Sequence, residues 1–157
     1  MSDTIYVRPR PFIPALSSVY ERLGAFGEPL IRVATGLLLM PHGAQKLFGV
    51  FGGGGISGTA GFLTQIGIEP ALPAAILLAL TEFFGGLFLA LGLLTRPAAL
   101  AVTVAMAIAT FYVHLGNGFF WNNVGYEYPL LLTLVALGFV LRGGGRYSID
   151  ARIGREF

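Results

Sequence analysis

The chain contains no cysteine. That absence excludes a disulfide framework, a thiol-disulfide relay, and any cysteine-ligated zinc site or iron–sulfur cluster within this polypeptide. Redox chemistry, if the chain takes part in it, has to use a bound carrier. Charge is scarce too: Asp, Glu, Lys and Arg make up 11% of the 157 residues, against 55% hydrophobic residues, and the mean hydropathy is +0.75. This is too apolar for an ordinary soluble domain and reads as an integral membrane protein. The net charge of +2 does not signal nucleic acid, because the basic residues sit in tails and turns beside apolar segments, where membrane topology accounts for them.

Residues 1–28 lack the compact apolar core and cleavage site of a signal peptide. They carry Asp3, Arg8, Arg10, Glu21 and Arg22, with Pro9, Pro11 and Pro14 among them. They are expected to form a cytoplasmic tail, in which residues 14–26 have the near-helical apolar spacing of an interfacial helix. Four later segments, 30–48, 72–94, 97–115 and 125–141, are long and apolar enough to span a bilayer. Pro73, Pro97 and Pro129 fall in the first turns, where a missing amide hydrogen costs little.

With four spans, Arg8, Arg10, Arg22, Arg96, Arg142, Arg146, Arg152 and Arg155 all fall on one side, which the positive-inside rule makes the cytoplasm. Loops 49–71 and 116–124 face outward and have no Lys or Arg. Arg32, near the inner end of the first span, is expected to snorkel. The glycine run at 52–55 lacks a following Gly-Lys-Ser/Thr, so it reads as a hinge rather than a phosphate loop. Beyond it, 58–66 is expected to be a short helix lying on the outer face. The expected fold is therefore all-α: a four-helix membrane bundle over residues 29–150 with a short outer-face helix in the first external loop, a tail at 1–28 and another at 151–157.

The polar residues inside the apolar segments carry the functional reading. In GLLLMPHGAQKLFG, residues 36–49, His42, Gln45 and Lys46 stand at i, i+3 and i+4 and share one helix face, with Thr35 two turns back. Ionisable groups in a bilayer usually face a bundle interior or a water-filled cavity. Glu82 lies about 14 Å below the outer end of the second span at 1.5 Å per residue, beside Gly85 and Gly86, which permit close helix approach. Thr103, Thr110 and His114 share a face of the third span, Asn117 follows, and Glu127 and Tyr128 open the fourth. Topology alone brings His42, Gln45, Lys46, Glu82, His114, Asn117, Glu127 and Tyr128 into the outer half of the membrane.

Structural readings stand beside this one. Lys46 and Glu127 either pair with each other or meet a ligand, His114 has the alternative role of donor to a loop carbonyl, and Thr103 and Thr110 are expected to bond back to their own helix. Phe119, Phe120 and Trp121 belong at headgroup level, as an aromatic belt does in any membrane protein.

Arg32, Gly36, His42, Gly43, Lys46 and Gly49, then Glu82, Gly85, Gly86, Gly92, Leu93, Thr95 and Arg96, resemble the DoxX family of small bacterial membrane proteins. The similarity continues through His114, Asn117, Gly118, Phe119, Gly125, Glu127, Tyr128 and Pro129 to the GRYSID segment at 145–150. What the resemblance implies is a four-helix domain in the bacterial inner membrane, related to the quinone-linked DoxD subunit of thiosulfate:quinone oxidoreductases. The expected function is a quinone- or quinol-binding component of a membrane oxidoreductase system. His42 and Lys46 would be donors to the head group, with Gln45, Asn117 and Tyr128 beside them. Glu82 and Glu127 would handle protons, His114 would be a second donor, and Phe119 and Trp121 would flank the ring. A partner membrane protein would supply electrons, and no metal site is expected. The alternatives are a non-catalytic accessory or assembly subunit packed against a larger membrane complex or in a homo-oligomer, a haem held by His42 and His114, and solute transport by an oligomer.

Overall fold

The computed structural model describes residues 11–157, all helical and without a strand among the described residues. A 3-10 turn at Pro14–Leu16 leads into α1, Ser17–Phe48. Helix α2 is Gly55–Gln65 and α3 is Ala71–Leu91. Helix α4 is Thr95–Asn117, α5 is Glu127–Arg142, and α6 is Ile149–Ile153. Three of these, α1 with its leading turn, α3 and α4, are long and apolar enough to cross a bilayer. Helix α5 has 16 residues, about 24 Å at 1.5 Å per residue, and packs along α4. Large apolar side chains such as Leu37, Leu38, Leu77, Leu100, Val104, Ile108, Leu131 and Leu134 point outward around the shaft, the arrangement lipid demands and water penalises.

The interfacial helix expected at residues 14–26 is instead the start of α1, which runs on through Pro29 and Pro41 without a break. The outermost tail, residues 1–10, lies outside the described residues. Helix α2 begins three residues earlier than the glycine run suggests, and it docks on the start of α3 through Leu63, Ala71 and Ala75.

Going round the bundle, α1 packs on α3, α3 on α4 and α4 on α5, while α5 barely returns to α1. The α1–α3 approach is set by glycine. A Cβ on Gly36 would run into the Gly86 carbonyl oxygen and the Ala90 backbone, and one on Gly43 into the backbone of Phe83. Seven residues apart on α1, the two glycines lie on nearly one face and let the helices touch through their main chains. The α1–α5 side is an open seam, closed midway by the core of Leu39, Val102, Met106, Leu132 and Ala136.

At the arginine-bearing end, helix termini are tied by buried charges. Arg32 does not snorkel: it is 1% exposed. Its Nη1 donates to the carbonyls of Leu89 (2.8 Å) and Ala90 (2.9 Å), and its Nη2 to that of Tyr147 (3.0 Å). The last carbonyls of α3 have no partner within their own helix, and a guanidinium inside the bundle fills that need better than one drawn out to water. Asp150 does the reverse at the start of α4, accepting from the Leu94 and Thr95 amides and the Thr95 hydroxyl at 2.7–2.9 Å. Arg96 donates to Val140 and Leu141 at the end of α5.

Candidate functional site

Where the seam opens toward the 49–71 and 116–126 loops, the bundle holds a cavity of about 500 Å³. Its polar lining is His42 and Lys46 from α1, Glu82 from α3, His114 from α4, Trp121 from the loop and Tyr128 from α5. Leu39, Met106, Ala109, Pro129 and Leu132 supply most of the apolar wall. Six of the residues singled out in the sequence thus share one space. Gln45, Asn117, Phe119 and Glu127 do not line it.

Two of the six stand on π-helical turns. The middle of α3, Thr81–Gly85, is a π-helix carrying Glu82, and the C-terminal part of α4, Ala109–His114, is another ending in His114. A π turn inserts one extra residue, widens the helix locally, and recurs at functional sites. Here each carries one ionisable side chain, Glu82 following Ala71, Ala75 and Ala79 along the buried face of α3.

Glu82 is 5% exposed, and its Oε2 lies 2.6 Å from the Lys46 ammonium. Lys46 also approaches the His42 carbonyl at 3.5 Å. The partner of Lys46 is therefore Glu82 and not Glu127, whose Oε2 accepts the Trp121 amide at 3.2 Å. A carboxylate this deep needs a cation or a proton, and the lysine reaches it without leaving the cavity wall.

His114 places Nδ1 2.7 Å from the Val124 carbonyl, to which Asn117 also donates at 3.2 Å. A carbonyl only accepts, so Nδ1 carries the proton and the neutral ring has Nε2 as an acceptor. The Nδ1 donor of His114 is therefore spent on the loop carbonyl. The two side chains hold Val124, a β-branched residue at φ +58°, in a conformation it would not adopt unaided. The loop around it is closed by Tyr126 N–H to Gly118 O (3.0 Å) and Glu127 N–H to Phe119 O (2.9 Å). Phe119 stacks edge-on with Phe120 and Tyr126. Gln45 donates to the Phe51 carbonyl at 3.1 Å and fixes the turn after α1.

What remains unspent is informative. Among the described residues, neither the His42 ring nor the Tyr128 hydroxyl makes a hydrogen bond to the protein; their rings face each other with centroids 6.4 Å apart. Thr103 and Thr110 bond back to their own helix, as expected of threonines in apolar spans. No group of three or more His, Cys, Asp or Glu capable of holding a metal ion occurs among the described residues.

Sequence reasoning missed Tyr128's companions Leu39 and Leu132, Met106 and Ala109, which are apolar and carried no signal, and both π turns.

No solved structure matches the chain. An uncharacterized protein of Haemophilus influenzae is 32% identical over 137 residues, covering 83% of this chain and 92% of that protein. A Bacillus subtilis protein named "Putative oxidoreductase CatD" is 32% identical over 124 residues, covering 79% and 84%. The DoxX family model matches residues 28–115, the stretch that holds Arg32, the Gly36 and Gly43 contacts, the Lys46–Glu82 pair and both π turns. The chain is a membrane protein with multiple apolar helices, and it belongs to the DoxX family.

Proposed function

We propose that the protein is a quinone- or quinol-binding component of a membrane oxidoreductase system, with its site in the cavity between α1 and α5. In this reading α5 completes a four-span bundle in the inner membrane, tilted or slightly short of the hydrocarbon thickness. Both termini and the arginine-rich end then face the cytoplasm and the cavity faces outward, with α2 on the outer face.

The observation that carries the reading is a mostly apolar cavity of about 500 Å³ with two uncommitted donors, His42 and Tyr128, beside a Lys46–Glu82 pair. A quinone is an apolar ring with two carbonyl acceptors, and that lining suits it: apolar walls for the ring, side-chain donors for the oxygens. When bound, it would supply two-electron, two-proton redox chemistry that no side chain of this chain can. His42 and Tyr128 would hold and orient its oxygens, and Trp121 would close one side. Glu82 is the group placed to hold a proton, with Lys46 as its counter-charge, and the Nε2 of His114 is a second acceptor at the mouth. Glu127, Gln45, Asn117 and Phe119 support the loops around the mouth. The name of the Bacillus subtilis relative agrees with a redox role, and the electron donor would be a partner protein.

Trp121 is the only tryptophan and lines the cavity, so a short-tailed quinone should quench its fluorescence saturably. His42→Ala and Tyr128→Phe should weaken that binding, and Glu82→Gln should weaken the linked proton uptake. Unchanged quinone affinity in folded His42→Ala and Tyr128→Phe proteins would reject the reading. The completed Lys46–Glu82 pair favours a second reading, a non-catalytic subunit in which the pair is structural; copurification at fixed stoichiometry without quinone binding would establish it.

A further inference from the structure

Helix α1 is longer than the bundle it belongs to. Glu28 is level with Arg142 at the end of α5, 2.7 Å from it, and Arg32 reaches the last carbonyls of α3. Residues 17–27 therefore run on for about 16 Å past the ends of the neighbouring spans. The helix is continuous through Pro29, so this extension keeps the direction of the span instead of folding into the headgroup plane as an interfacial helix does. It projects toward water, yet one side of it stays apolar.

That side has a definite period. Leu16, Val19, Leu23, Phe26 and Leu30 follow one another in alternating steps of three and four residues, the spacing of a coiled-coil seam. Ser17, Ser18, Glu21, Arg22 and Glu28 all fall between them. Leu23, Phe26 and Leu30 are more than half exposed, Val19 is exposed too, and Phe26 keeps that exposure although its ring stacks on Tyr147. The same steps continue into the membrane at Val33 and Leu37, which are also exposed. The stripe faces away from Gly36 and Gly43, where α3 approaches, so the protein's own bundle cannot cover it.

We propose that this stripe packs against the same stripe of a second copy of the chain, first helix along first helix, as a parallel seam that starts outside the bilayer and continues into it. Two copies inserted with the same orientation are related by an axis along the membrane normal. Their first helices then run parallel at one height, and each seam residue meets its own counterpart. A foreign helix would have to match both the height and the period, whereas a second copy has both by construction. Inside lipid a row of leucines gains little by associating. The drive comes from the extension, where the alternative neighbour of Val19, Leu23 and Phe26 is water. Because the stripe lies on the far side of α1 from α3, the two bundles stand on opposite sides of the seam.

The chain has no cysteine, so a single cysteine introduced along the extension can form a disulfide only with its own counterpart in another copy. In purified protein reconstituted in excess lipid, copper-phenanthroline oxidation should link Val19→Cys and Leu23→Cys into dimers severalfold more completely than Ser18→Cys and Glu21→Cys. A scan of residues 16–27 should show the yield rising and falling with a period of about 3.5 residues. Leu23→Glu should abolish the Val19→Cys cross-link while circular dichroism still reports a helical bundle. Should Leu23→Glu fail to insert, Leu23→Ala should lower the yield severalfold. Equal yields on and off the stripe, or a yield that falls in proportion as lipid is added, would mark chance collision and overturn the proposal. Absence of the cross-link would overturn it as well, and quenching of a bimane attached in the Leu23→Cys variant by brominated lipid would then give the stripe to the membrane surface. Dimers formed in native membranes but lost in the purified protein would also overturn it, by making another polypeptide necessary.

Discussion

Replacing Lys46 by Met keeps most of the side chain's length and removes its charge, leaving Glu82 without its cation. At the 2.6 Å separation the gross attraction is about 6 kcal/mol for an effective dielectric near 20. Most of that is consumed by stripping water from the two groups, so the intact pair is worth little net. Orphaning one partner of a buried pair is different, costing about 3–5 kcal/mol. Glu82 retains 6% of its side-chain surface and Lys46 25%, so some water reaches the pair and the lower end of that range applies, about 3 kcal/mol. Lys46→Met/Glu82→Met removes both charges, and it should recover most of that loss. The measurement is a denaturant titration in mild detergent, followed by Trp121 fluorescence and circular dichroism, on wild type, both single variants and the double variant. A coupling of about 2 kcal/mol or more is expected, well above the ~0.5 kcal/mol seen between independent sites. Additive effects, or a Lys46→Met protein as stable as wild type, would refute the view of Glu82 as a buried charge that depends on the lysine.

Four further outcomes follow from the packing and the loop contacts. Gly43→Val drives a branched side chain into the Phe83 backbone and should abolish a monodisperse folded species in size-exclusion chromatography. Gly27→Ala, with nothing near its added methyl, should be tolerated or slightly stabilising. Arg32→Met leaves three carbonyls without their donor and should cost about 3 kcal/mol or more in detergent unfolding, with Arg32→Lys failing to restore it because a point charge cannot reach all three. His114→Ala frees the strained Val124 turn and should speed limited proteolysis within residues 116–126 without lowering helix content.

The sequence made much of this architecture readable, and its omissions have physical causes. Apolar run lengths located α1, α3 and α4, and the polar exceptions within them marked six cavity residues. The pairing of Lys46 went astray because relative helix height is not written in the residues. Lys46 is two residues from the end of α1, whereas Glu82 is eleven from the start of α3. The two meet because α3 begins about 14 Å beyond the point where α1 stops. Arg32 looked like a side chain bound for water, since nothing local reveals that the end of α3 and the Tyr147 carbonyl converge on it. The π turns are equally silent, because TEFFG and ATFYVH have no composition that distinguishes them from ordinary helix. Their signature is a phase shift, visible only once neighbouring helices define which side is inside.

That phase shift makes residue count as important as residue type. Each wide turn holds one surplus position, so removing a single amino acid from 81–85 or 109–114 would let the coil relax to its regular winding with the turns on either side still in register, whereas the same deletion in a regular stretch turns everything beyond it by roughly 100°. In α3 a deletion within 81–85 would keep the alanine edge under α2 and the Gly86 contact with α1, and would remove only the bulge that carries Glu82. Substitutions there test chemistry; a one-codon deletion tests the winding itself, and within either wide turn it should do less damage to the fold than the same deletion one turn away.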